Sequence, residues 1–321
     1  MQKSSKRMAK SKSLKPAEEA AIDKIKAQID IKIAASVHGL SLVNAVTLFK
    51  SVLDDSIKIA GARGKESIIR SQEPIKIFHE VVKQELIKNH INPALIHPPL
   101  GNSKGEKTLY GYFKDKAQDV CALPNNTKQV AEVLTSGLLN GQTDPIGKSL
   151  TERTLAINVR SQMSSIAKNI DTMFERIFAE PLNLHMRCPK LVMGEFYIIP
   201  TTGYDSDAVK KKKPTFLPKV TAKRGQNKTT AEVIAEYILA FQSVNNRQFA
   251  KGEDYKYERV CLLICDFTTN PIKVYNTDAQ LRADNLLPAG SIATLKGLEF
   301  NTFIIDLLNI YTQRFGAGKF I

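Results

Sequence analysis

From Ala17 to about His90 the apolar residues recur three and four positions apart, the period that lines one face of an α-helix. The segments "AEEAAIDKIKAQIDIKIAASV", "LSLVNAVTLFKSVLDDSIKIAG" and "GARGKESIIRSQEPIKIFHEVVKQELIKNH" predict three long helical stretches, with Pro74 as a break or a first turn. "INPALIHPPLGNSKGEK" then breaks the period with prolines and glycines and predicts a loop or linker. Beyond it the pattern changes. "TLYGYFKDKAQDVCALP" predicts two short strands or a hairpin, "LAINVRSQ" a strand, and "KLVMGEFYIIP" a strand that is mostly apolar. Between the last two, "SSIAKNIDTMFERIFAEPLNLHMR" predicts a helix capped by Ser164 or Ser165. A basic loop from Tyr204 to Lys228 leads into a helix, "TAEVIAEYILAFQSVNN", then a buried strand, "RVCLLICDF", and a terminal amphipathic helix, "LEFNTFIIDLLNIYTQRF". The pattern divides the chain into an arm (1–16), a helical region (17–100) and an α/β unit (101–321).

One strand departs from a plain apolar pattern. In "LAINVRSQ" the period-2 alternation puts Asn158, Arg160 and Gln162 on one face, opposite Leu155, Ile157 and Val159. That polar face meets either water or a substrate.

Composition narrows the choice. The 321 residues are 43% hydrophobic and lack Trp, which suits a globular chain with a sizeable core. Lys and Arg number 46 against 32 acids, a net charge of +14, which points to a polyanion partner, nucleic acid first. The four cysteines form no CxxC pair and do not cluster with the five histidines at ligand spacing, so buried, reduced thiols are expected rather than zinc. No run reaches membrane-span length, and no signal peptide is visible. The opening "MQKSSKRMAKSKSLKPAEE" reads as a flexible basic arm that touches phosphates or merely aids solubility.

Asp119 enters an apolar strand just after Lys114 and Lys116. A carboxylate at a strand start suits a divalent metal, since the strand fixes it and the strand end leaves it open. Arg160 on the next strand supplies the charge that neutralises a reacting phosphate, with Asn158 and Gln162 beside it for metal, water or phosphate.

The order of these parts is similar to the catalytic core of PD-(D/E)XK nucleases, especially type II restriction endonucleases, over Thr108 to Pro200. "GYFKDKAQDVCAL" looks like the segment carrying their first metal-binding Asp, here Asp119, and "LAINVRSQ" looks like their E-x-K strand. The stretch "INVRSQ…FERIFAE…LNLH…GEFYIIP" also resembles the ApaLI-like group. The resemblance implies an α/β restriction-endonuclease-like core and Mg²⁺-dependent cleavage of double-stranded DNA at a palindromic site. It further implies a homodimer, a cognate DNA methyltransferase, no membrane and a bacterial or archaeal cytoplasm. The sequence departs from the pattern where Glu and Lys are usual: Asn158 offers only a neutral carbonyl, and Arg160 cannot carry a proton. A further acid must then come from elsewhere. Asp171 and Glu175 lie four apart on the following helix, with Glu180 beyond them; Glu66 lies in the N-terminal region, and Glu195 sits inside an apolar strand. The expected catalytic residues are Asp119, Asn158, Arg160, Gln162 and Glu175, and the expected metal ligands Asp119, Asn158, Asp171 and Glu66.

Phosphate and base contacts are expected from Lys211, Lys212 and Lys213 in the densest basic run, and from Arg224, Gln226 and Asn227. Arg63, Lys65, Lys116 and Lys168 join them. "NNRQFAKGEDYKYERV" is a second polar segment rich in such groups. Two rival readings stand beside the endonuclease: a non-catalytic DNA-binding protein on a degenerate nuclease fold, and a base-excising restriction enzyme that needs no metal.

Overall fold

The computed structural model describes residues 13–36, 39–164, 166–223, 227–249, 252–288 and 290–321. Three helices come first: α1 (Pro16–Ala35), α2 (Leu42–Arg70) and α3 (Lys76–Lys88). Ser41 starts α2 by accepting a hydrogen bond from the Asn44 amide at 3.2 Å. The helical path breaks at Gly61 (φ 60°, ψ −132°), where the third helical stretch was expected to begin, so α2 is two helical halves meeting at a kink. A side chain there would bring its Cβ to 2.7 Å from the Val209 carbonyl oxygen, so the kink is where a later loop packs onto α2.

The proline-rich segment is not wholly a loop. It contains a 3₁₀ turn (Pro93–Leu95) and an edge strand, β1 (Ile96–His97). The expected hairpin forms as β2 (Lys107–Tyr110) and β3 (Asp115–Gln118), after which the chain enters β4 (Val120–Ala122). Next come a small hairpin, β5 (Glu132–Val133) with β6 (Thr143–Asp144), a short helix, α4 (Gly147–Arg153), and β7 (Leu155–Ser161). Helix α5 (Ile170–His185) joins β7 to β8 (Val192–Pro200). Asn169, rather than Ser164, occupies the cap position of α5, without a side-chain bond, after a 3₁₀ turn at Ile166–Lys168; Ser165 lies outside the described residues. The rest of the chain supplies α6 (Ser206–Lys210), α7 (Thr230–Ser243), β9 (Arg259–Asp266), β10 (Lys273–Tyr275), α8 (Asp278–Ala283) and α9 (Phe300–Phe315). Helix α6 falls inside the expected basic loop, where Asp205 caps it by accepting the amides of Asp207 and Ala208.

The main sheet is mixed, in the order β1-β4-β7-β8-β9-β10. β7, β8 and β9 run parallel, and the flanking pairs are antiparallel. Alternation along the strands sends side chains to two separate cores. Leu155, Ile157, Val159, Phe196 and Ile198 join a core shared with α1, α2, α3 and α9. Ala156, Met193, Tyr197, Val260 and Leu262 join another shared with α5, α7 and α8. The helical N-terminal region thus packs directly on one face of the sheet. Gly194 lets α9 press close on that face, since a Cβ there would sit 2.7 Å from Leu307 Cδ1. All four cysteines are buried and unpaired. No helix among the described residues is long and apolar enough to cross a membrane.

Candidate functional site

The polar residues of β7 point into the second face, beneath α5. Register explains what they meet. Val120 pairs with Ile157, and Asn158 pairs with Glu195, so Asp119, Asn158 and Glu195 form a row across β4, β7 and β8. Asp119 sits where the chain leaves one sheet and enters another, between β3 and β4. Its Oδ2 accepts the Val159 amide at 2.7 Å, supplying a bond that the broken ladder lacks.

Lys116 from β3 and Glu180 from α5 close the cluster. Lys116 Nζ donates to Asn158 Oδ1 at 3.0 Å and to Glu180 Oε1. Arg160 Nη2 donates to Glu180 Oε2, while Nη1 lies 3.4 Å from Glu195 Oε1. Glu180 therefore bridges two cations, and Arg160 bridges two carboxylates. Two cations stand against three acids, Asp119 included.

Burial sets their protonation. The Lys116 amine is pushed down to about 8 by burial and then by Arg160, against the pull of Asp119 and Glu195. Burial also works against the Arg160 charge, but Glu195 and its other neighbours more than offset this and hold the guanidinium above the ordinary arginine range. Burial raises the Glu195 carboxyl despite Arg160 and Lys116. Tyr257 faces the same carboxylate, and burial together with that charge pushes its hydroxyl well above the usual tyrosine value. On the other side of Asp119, burial brings the His79 imidazole down to about 4 although the Asp119 charge opposes it, so the ring is neutral near pH 7.

The donors suit a hard divalent cation in kind. Glu195 is fully buried, with Arg160 Nη1 at 3.4 Å and the Tyr257 hydroxyl facing it, yet neither carboxylate oxygen receives a well-formed hydrogen bond, which leaves acceptor capacity for a ligand. Asp119 and the Asn158 carbonyl complete a row of oxygen donors. Among the described residues no three His, Cys, Asp or Glu side chains converge on one point. A metal here would be held by two carboxylates and one amide oxygen.

The other expected site residues fall elsewhere. Asp171 and Glu175 lie on the exposed face of α5, opposite the buried stripe Met173, Ile177, Glu180 and Leu184. Glu66 pairs with Arg70 at 2.5 Å on α2 and is 41% exposed. Gln162 turns away from the cluster and donates its side-chain amide to the Ser164 carbonyl. Glu180 and Lys116 were the residues to find: Glu180 shares the apolar stripe of its helix, a signal present in the sequence. Lys116, expected as a phosphate contact, instead pairs with Glu180, and no local signal announced that pairing, because only the break at Asp119 carries β3 over β7.

The basic residues divide as well. Arg224 and Gln226 lie outside the described residues. Asn227 and Lys168 are exposed on separate elements. Arg63, Lys65 and Lys210 to Lys213 gather around the kink in α2: Lys212 Nζ donates to the Ile59 carbonyl at 2.5 Å, and Glu18 pairs with both Lys212 and Arg63. Lys65 Nζ lies 5.7 Å from the Tyr204 ring centroid. Lys211 and Lys213 are exposed and have no acidic partner among the described residues. If this face meets a polyanion, Lys211→Ala with Lys213→Ala should weaken binding to all DNA sequences alike. The slope of log affinity against log salt should flatten by roughly 2 units. A loss confined to one sequence, with the slope intact, would instead assign the pair to base reading. Lys212 is left out of that test because its bonds also fasten α6 to α2.

No protein-family model, curated protein or solved structure matches the chain.

Proposed function

We propose that this protein is a type II restriction endonuclease with a PD-(D/E)XK-type core, cutting double-stranded DNA at a symmetric site as a homodimer. One observation carries the reading: Asp119, Asn158, Arg160 and Glu180, drawn from a strand break, the next strand and the following helix, meet in a single cluster. Glu195 takes the part of the acid that the strand lacks, since Asn158 stands where a carboxylate is usual, and Glu180 ties Lys116 to Arg160.

Mg²⁺ would be held by Asp119, Glu195 and the Asn158 carbonyl, and when bound it polarises the scissile phosphate and makes water a better nucleophile. The chain's own residues do the rest. Arg160, charged at any working pH, lies beside these donors and neutralises charge growing on the phosphate oxygens. Glu180 aims Arg160 and Lys116 by bridging them, so neither must be ordered when DNA arrives. Lys211 and Lys213 hold phosphates outside the site. In a cell such an enzyme works in the cytoplasm beside a methyltransferase that protects the host's own copies of the site.

Plasmid digestion with Mg²⁺, and with EDTA in its place, tests the reading. Discrete fragments are expected with the metal and none without. Arg160→Ala should lower the cleavage rate by a factor of about 100 to 1,000, and Arg160→Lys should keep part of it, since a point charge remains without the fork. Asn158→Asp restores a carboxylate and should be tolerated or shift the metal preference. Intact plasmid under all conditions, with DNA still bound, would favour the non-catalytic rival on the same fold.

A further inference from the structure

Apart from the Asp119 cluster, a concavity of about 500 Å³ opens between the segment Asn246–Phe249 and the C-terminal half of α9. Helix α9 presents Asn309 and Gln313 to it, one turn apart and exposed, and neither amide has a partner among the described residues. Phe249 is 47% exposed. Its φ of 59° is a backbone conformation that is expensive for a bulky side chain. Two guanidinium groups hold the ring there, with the Arg314 and Arg247 carbons 3.9 Å and 4.7 Å from its centroid. The Arg247 and Arg314 side chains are only 3% and 8% exposed. Each nevertheless keeps a buried Nε–H without an acceptor.

Charge decides what such a wall would hold. Arg247 pairs with Asp254 at 2.7 Å and with Glu258 at 3.3 Å. Arg314 pairs with Glu258 at 2.8 Å, and Arg259 with Asp306 at 3.4 Å. Three guanidinium groups face three carboxylates, so little net field is left to attract a phosphate. What remains is neutral: amides that donate and accept, unpaired N–H groups, and an exposed ring. That is the chemistry that reads the edge of a nucleobase and stacks on its face. The wall is also concave. Reading along a groove needs a projecting element, whereas a hollow receives a base that has left its stack.

We propose that this concavity receives one unpaired nucleobase of a DNA strand, stacked against Phe249 and read at its edge by Asn309 and Gln313. The inference rests on the reading of the chain as a DNA-acting protein, and not on its cleaving DNA.

The chain has no tryptophan, so Phe249→Trp places a single indole on the cavity wall. Ile310→Trp, on the same wall, serves if the first variant misfolds. Each reporter is titrated with a short single-stranded oligonucleotide and with an abasic strand of equal length, and total binding is followed by anisotropy. The base-bearing strand should quench the indole saturably, while the abasic strand binds through its phosphates and leaves emission unchanged. Adding Asn309→Ala and Gln313→Ala should weaken the quenching titration about tenfold and leave the abasic strand's binding as it was. Equal quenching by both strands, or a bound base-bearing strand that does not quench, overturns the proposal. If no strand binds, the proposal and the DNA reading fall together. If base-bearing strands quench but plasmid stays uncut, only the nuclease reading falls.

Discussion

Glu180→Ala should destabilise the protein by about 3 kcal/mol and, if the chain is the nuclease proposed, abolish cleavage, because one carboxylate serves two cations. Lys116 and Arg160 both spend their charge on Glu180, which is only 7% exposed. Removing it leaves two part-buried cations facing each other, and an ion left without its partner costs far more than the pair was worth. Urea denaturation reads the stability, with an unchanged slope showing that the unfolded state is the same. Glu180→Gln separates the two roles. It keeps the shape and one acceptor, so part of the stability should return while cleavage stays low. An Ala variant that unfolds like the parent would mean that the two cations find other partners and that Glu180 organises nothing.

Asp119→Ala should remove cleavage to below about one thousandth of the parent rate while fold and DNA binding persist. The structural cost is small because Asp119 contributes one hydrogen bond, to the Val159 amide, worth about 1 kcal/mol. Asp119→Asn preserves that acceptor and removes the charge. If the carboxylate holds a metal, the Asn variant should be as inactive as the Ala variant, and rising Mg²⁺ should restore little. Near-parental cutting by either variant would place the active centre elsewhere, with Asp119 reduced to a tie between β4 and β7.

Much of this architecture is legible in the sequence. Helical period marked α1, α2, α3, α7 and α9, and apolar runs marked β7, β8 and β9, because burial on one face or two leaves its period in the chain. Asp119 and the Asn158–Arg160 pair stood out because a charge or amide in an apolar strand needs a partner. The sequence also carries a signal for Glu180, which shares a stripe with Met173, Ile177 and Leu184, whereas Asp171 and Glu175, the acids expected at the site, do not. Spacing between acids alone was the weaker guide; the side of the helix they occupy mattered more.

Other features belong to the tertiary structure. The row Asp119, Asn158 and Glu195 depends on pairing between strands far apart in the chain, and a one-residue slip would turn a strand's side chains to the opposite face. Lys116 reaches the site only because the chain changes sheets at Asp119. Arg63 and Lys65 meet the Lys210–Lys213 run only because α2 kinks at Gly61 and accepts Val209 against its backbone. Local pattern fixes which residues are buried and in which element, since that choice is made over a few neighbouring positions. Which polar groups face one another is settled by register and by the approach of distant segments, and no local period records that.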